Sequence, residues 1–167
     1  MGEIINFYDL IPKSEKVTYS NPNFDRCLIS HPAKILICGK SGNDNLNPGK
    51  TNLLLNIIMR MRCFDRYYLF VKMLDTDPLY RDVLTPILRN DEKRSGCQVL
   101  MITSNTLDDL PDVNDEIIDS TCQNIIIIFN DLCQEATKHL TKINEYFTKM
   151  RKKNCTFFFI TQTYFET

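Results

Sequence analysis

The chain has little histidine and no closely paired cysteines. His31 and His139 are its two histidines, and the seven cysteines, at positions 27, 38, 63, 97, 122, 133 and 155, never come closer than eleven positions and form no C-x-x-C. That pattern argues against a zinc site, and an odd, scattered set suits reduced thiols in an intracellular compartment. Net charge is almost missing too. With 20 basic against 21 acidic residues the formal charge is −1, so no global field draws the chain to nucleic acid, and any DNA contact must come from local basic clusters. No apolar run approaches the length needed to cross a bilayer. The start MGEIINFYDL carries Glu3 and Asp9 where a signal peptide would be basic, so a soluble, unsecreted protein with no membrane partner is expected. Gly2 stands where N-myristoylation would act, but Asn6 occupies the position where that motif needs Ser or Thr. Internal repeats and low-complexity tracts are absent.

What is present fits one domain. A chain of 167 residues, 43% of them apolar, can bury a single substantial core. Residues 1–32, with Pro12, Pro22 and Pro32 and few periodic apolar positions, read as an irregular lead-in. Residues 33–167 alternate apolar runs of strand length with helical patterns. Strands are expected at Ile35–Cys38, Tyr67–Met73, Gln98–Thr103, Asn124–Phe129 and Thr156–Ile160, with helices over Thr51 to about Arg62 and over Pro78–Leu88. Such alternation predicts right-handed βαβ crossovers and a parallel sheet. The run NIIIIF is continuously apolar, as a central strand covered on both faces should be. After it, Ala136, Leu140, Ile143, Phe147 and Met150 fall at steps of four, three, four and three, a single helical stripe ending in the basic turn Arg151-Lys152-Lys153. The acidic segment Asp108–Asp119 reads as a solvated surface loop.

The first strand leads into chemistry. Ala33 to Met61, AKILICGKSGNDNLNPGKTNLLLNIIMRM, runs strand, polar glycine-containing loop, apolar helix, with Gly49-Lys50-Thr51 at the helix start. A lysine there sets a positive charge against the β- and γ-phosphates of a nucleotide, the threonine hydroxyl ligates Mg²⁺, and helix N-terminal N–H groups face the anion. The usual pattern sets its glycines five positions apart, whereas Gly39 and Gly49 are ten apart and Gly42 and Gly49 seven. The additional residues Asn43 to Pro48 either bulge into solvent, which costs little loop entropy, or open the cradle and bring Asp44 toward phosphate.

In open α/β sheets the ligand sits beyond the carboxyl ends of the strands, so the residues that follow the other apolar runs are the next candidates. Asn130-Asp131 follows NIIIIF, where nucleotide hydrolases place acidic groups for Mg²⁺ and for the attacking water. Asp131 either orients that water, with Asn130 on the metal side, or is itself the sole metal-side acid; a strand end that caps the next helix is the plain alternative. Gln162 follows the last strand, and its amide could meet the γ-phosphate or its water because it both donates and accepts hydrogen bonds.

The loop GKSG…GKT, the strand ending Phe129-Asn130-Asp131-Leu132, the amphipathic helix with its basic end, and the strand closing on Ile160-Thr161-Gln162-Thr163-Tyr164-Phe165 follow one another in an order that resembles the poxvirus-type genome-packaging ATPases of large DNA viruses, in the FtsK/HerA superfamily of P-loop DNA translocases. The resemblance covers residues 33–165. It implies an α/β P-loop NTPase domain of RecA/FtsK type, a three-layer sandwich with a mostly parallel central sheet. It also maps loop glycines on Gly39, Gly42 and Gly49, the phosphate lysine on Lys50, the Mg²⁺ hydroxyl on Thr51, the acidic pair on Asn130 and Asp131, and the sensor glutamine on Gln162. By the same resemblance the chain would hydrolyse ATP with Mg²⁺ and drive double-stranded DNA into a capsid. It would work as a homo-oligomeric ring with capsid or other packaging proteins, in the host cytoplasm or virion. Two departures stand out: the family loop has one residue where this chain has Asn43 to Pro48, and a carboxylate where this chain has Asn130. Family members also continue beyond the sensor strand, so a C-terminal part bearing DNA contacts or an intersubunit arginine is expected to be missing here. Arg81, Arg89, Arg94 and Arg151 are not distinguished as fingers. Two other readings compete: a nucleotide-binding but weakly hydrolysing structural or regulatory subunit, and a small-molecule kinase, which lacks an evident arginine-rich lid.

Overall fold

The apolar runs become the strands of one sheet. A computed structural model of the chain describes residues 21–39, 49–72, 74–94, 100–104, 106–112, 124–132, 139–149 and 154–161, and the fold is stated for these. A single helical turn α1 (Phe24–Cys27) precedes β1 (Lys34–Cys38); α2 (Lys50–Met61) leads to β2 (Arg66–Val71). A π-helical turn (Leu79–Leu84) runs into α3 (Thr85–Arg94) and then β3 (Leu100–Ser104); β4 (Ile125–Asn130), α4 (Leu140–Lys149) and β5 (Cys155–Thr161) complete the order.

All five strands are parallel, in the spatial order β1-β5-β4-β2-β3. Progress across the sheet reverses after β3, so right-handed crossovers send the helices that follow β1 and β2 to one face and those that follow β3 and β4 to the other. The core divides in the same way. On one face Leu54, Ile58 and Met61 of α2, with Tyr80, Leu84 and Leu88, pack on Ile37, Leu69, Ile128 and Phe158. On the other, Leu107, Leu110, Ile143 and Tyr146 pack on Tyr68, Phe70, Ile127 and Phe157. Helices on both faces of a parallel sheet make a layered α/β architecture, and each fully buried Leu, Ile or Phe contributes about 2 kcal/mol of burial. β4 is buried at every residue, as its unbroken apolar run requires.

Three local features depart from the simple reading. The expected helix at Pro78–Leu88 continues to Arg94, and its first turn is π-helical: the Thr85 N–H donates to the Tyr80 carbonyl, five residues back. Pro86 explains this, because it has no N–H and its ring would clash with the carbonyl four residues earlier, so the turn before it widens. In α4 the stripe Ile143 and Phe147 faces the sheet as expected, joined by Tyr146, which is wholly buried edge-on to Phe157 at 5.7 Å and donates its hydroxyl to the Pro111 carbonyl. Within the lead-in, residues 21–32 pack on the domain: Asn23 Nδ2 donates to the Met61 carbonyl at 2.6 Å, and His31 is buried against the starts of the strands. Residues 1–20, Ala136, Met150, the basic turn Arg151-Lys152-Lys153 and most of the acidic segment to Asp119 lie outside the described residues. No helix among the described residues is long and apolar enough to cross a membrane.

Candidate functional site

Strand order brings the candidate residues to one edge. β5 lies between β1 and β4, with Cys38 level with Thr161 and Ile160 level with Asn130. Gly39 after β1 and Asp131 after β4 are therefore separated by two strand spacings, about 10 Å. Backbone bonds lock the three ends together: Gly39 N–H donates to Thr161 O at 3.3 Å, and Asp131 N–H to Ile160 O at 3.2 Å.

Lys50 is the first residue of α2, and its Nζ donates to the Gly39 carbonyl at 2.6 Å. The ammonium thus rests at the carboxyl end of β1, held by one carbonyl that a phosphate can replace. Gly49 caps the helix in extended conformation with no side-chain cap, and no acidic residue stands in the first turn. The positive end of α2 is therefore not neutralised by its own residues, the condition for an anion site. Neither loop glycine is demanded by packing here. A Cβ on Gly39 would stand 3.9 Å from Lys50 Cγ, an ordinary contact, and one on Gly49 would meet nothing within 4 Å. Thr51, one residue further along, is half-buried.

Asn130 is the last residue of β4 rather than the first beyond it, and it is buried. Asp131 follows with φ of 57°, a left-handed conformation that Asp tolerates better than most residues. Such backbone outliers cluster where structure serves function. Among the described residues, the candidate oxygen donors at this edge include the Thr51 hydroxyl, the Asn130 amide and the Asp131 carboxylate. They suit Mg²⁺ carried by a nucleotide, because that ion takes one or two protein ligands and fills its remaining positions with water and phosphate. No group of three His, Cys, Asp or Glu residues able to hold a metal by itself occurs among the described residues.

Tyr80 was not foreseen. Its ring is fully buried under α2 and the sheet, and its hydroxyl closes no hydrogen bond of ordinary geometry among the described residues. Burial, then the Asp77 carboxylate, push its pKa far above the usual 10; Asn130 opposes the rise and Asp131 adds to it. Tyr80 packs in the cluster of Ile126 and Ile128, the face of β4 to which Asn130 also turns. A tyrosine after a proline carries no sequence signal for this, since the placement depends on the widened turn.

The other candidates fall into two groups. Arg81 is an exposed side chain paired with neighbouring Asp82 at 2.7 Å, and Arg89 is exposed. Gly42, Asn43 to Pro48, Gln162 and Arg151 lie outside the described residues, as does the side chain of Arg94. An open cleft of about 580 Å³ at the same edge lies to one side, beyond β2 and β3, lined by Lys72, Asp75, Thr76, Ser104 and Asp109 among others. Two carboxylates against one ammonium disfavour an anion in that cleft. Compared with protein-family models and with curated protein sequences, the chain matches none.

Proposed function

We propose that the chain binds ATP at the start of α2 and hydrolyses it as a P-loop motor subunit. The observation that carries the reading is Lys50: its ammonium heads an uncapped helix and sits at the end of β1, two strands from Asp131. Binding and charge neutralisation fall to Lys50 and the first-turn N–H groups, and Thr51 with the Asn130 and Asp131 end would hold Mg²⁺. The ion, when bound, offsets charge developing on the phosphates. Asp131 orients the attacking water, and Gln162, the residue after β5 in sequence, answers to the γ-phosphate. Catalysis of this kind is positioning plus preorganised electrostatics. Work on double-stranded DNA, a homo-oligomeric ring and a place in viral genome packaging rest on the sequence resemblance.

Asn130 favours a second reading, a subunit that binds nucleotide and turns it over feebly, because an amide attracts a metal ion less than a carboxylate does. One experiment separates the two. ATP affinity and turnover are measured for the natural chain, Lys50→Ala and Asn130→Asp. Lys50→Ala is expected to weaken ATP binding about 100-fold without lowering the melting temperature; unchanged binding would reject the site. A large gain in turnover for Asn130→Asp selects the feeble subunit, and no gain selects the motor.

A further inference from the structure

The site as described leaves one buried group without a task. Leaving the Tyr80 hydroxyl buried and unpaired costs stability, and such exceptions call for an explanation. Its place is not an accident of packing. The Asp77 carboxylate accepts from the Leu79 N–H at 2.9 Å and starts the helix, and Pro86 widens the turn that follows into π geometry. Together these fix Tyr80 in the cluster that covers Ile126 and Ile128 of β4, and Asn130, two residues beyond Ile128 in the same strand, turns to that same face and is buried there. π-Helical turns inside helices are often found at functional positions.

We infer that Tyr80 is a positioning residue of the nucleotide site, its hydroxyl oxygen receiving the Asn130 amide N–H and so turning the amide oxygen toward Mg²⁺ and the phosphates. Asn130 has one acceptor oxygen and one donor nitrogen. With the nitrogen engaged from behind, the oxygen is left on the side of Asp131. An amide at this position makes such support matter, since a carboxylate would offer an oxygen whichever way it turned. The inference rests on the nucleotide reading above and adds to it the residue that fixes the metal-side ligand.

The test uses the full chain and ATP, with binding measured once in EDTA and once with Mg²⁺. Tyr80→Phe removes the hydroxyl and keeps the ring. It is expected to leave the affinity in EDTA unchanged, to lose about ten-fold of the affinity that Mg²⁺ adds, and to melt no lower than the natural chain. In an Asn130→Ala background the same substitution should then have no further effect on the Mg²⁺ gain. An unaltered Mg²⁺ gain in Tyr80→Phe, or a loss that persists undiminished beside Asn130→Ala, overturns the inference. Lys50→Ala in the same assay keeps the two levels apart: equal ATP binding by Lys50→Ala and the natural chain removes the nucleotide site and Tyr80's role with it, whereas lost binding in Lys50→Ala beside a normal Tyr80→Phe removes Tyr80's role alone.

Discussion

At the amino ends of the strands Asn124, Asn154, His31 and Thr156 pass hydrogen bonds from one to the next, whereas the carboxyl ends hold a buried asparagine, a left-handed aspartate and an uncapped helix start. The closed end can be followed group by group. The Cys63 carbonyl must accept, so Asn124 presents Nδ2 to it, at 2.6 Å, and Oδ1 to Asn154. Asn154 therefore donates Nδ2 to Asn124 and turns Oδ1 to His31 Nε2, which must carry the proton. His31 Nδ1 is then an acceptor for the Thr156 hydroxyl at 2.8 Å, and that oxygen accepts the Ala33 N–H at 3.0 Å. One tautomer and one orientation of each amide satisfy the whole set. Saturation of this kind rigidifies and specifies structure, whereas at the opposite edge the helix start of α2 carries no side-chain cap that would compete with a ligand. The same five strands thus carry a structural end and the end at which the nucleotide site is proposed.

The largest effect that separates the two comes from Asn124→Ala. It strands the Cys63 carbonyl and the Asn154 amide in a buried site, and the expected loss is about 3 kcal/mol of folding stability, read by denaturant unfolding. ATP affinity of the folded fraction should stay within about two-fold, because Asn124 lies at the far end of β4 from Asn130. A proportionate fall in affinity would mean that the two ends are coupled and the contrast is false.

Acid probes the same network more gently. Burial, the largest influence, holds the His31 pKa below its ordinary 6.5, opposed by the Asn154 and Asn124 side chains and by the Asp65 carboxylate; Phe64 packs on the ring and carries no charge. Below pH 6.5 the unfolded chain takes up a proton that the folded chain refuses. This contribution is therefore complete above pH 6.5 and is lost as pH falls toward the lowered folded value, at no more than about 1.4 kcal/mol per pH unit. Unfolding followed between pH 7.5 and 5 should show that slope, and His31→Gln should flatten it. A slope unchanged by His31→Gln would assign the acid sensitivity elsewhere.

Much of this was legible in the chain, and the reason differs by level. Apolar runs and spacing gave five strands, the parallel sheet and the buried β4 because burial on two faces leaves a local signature in composition. That Lys50 heads a helix after β1 and that Asn130 and Asp131 close β4 at the same edge was legible because apolar runs mark where strands end. The order that sets β5 between β1 and β4 was not, since it follows from crossover direction over the whole chain. The His31 network joins residues 125 positions apart and leaves no periodic trace, so residues 21–32 looked like preface. Tyr80 depends on a turn widened by Pro86, where sequence alone offered a proline and an ordinary helix.

The smallest expected effect is the most pointed test of the open end. Gly49 has φ of −67° and ψ of −179°, values any residue adopts, and an added Cβ would touch nothing within 4 Å. Alanine there should change stability by less than about 0.5 kcal/mol, since neither backbone strain nor packing opposes it. The methyl group would nonetheless stand at the mouth of the uncapped turn, where a phosphate must approach the first N–H groups of α2 closely. Gly49→Ala should therefore weaken ATP binding several-fold while melting like the natural chain. A glycine that the folded chain does not need, but its ligand does, would show that this edge is shaped for something not yet bound; equal affinity would return Gly49 to the status of a plain loop residue.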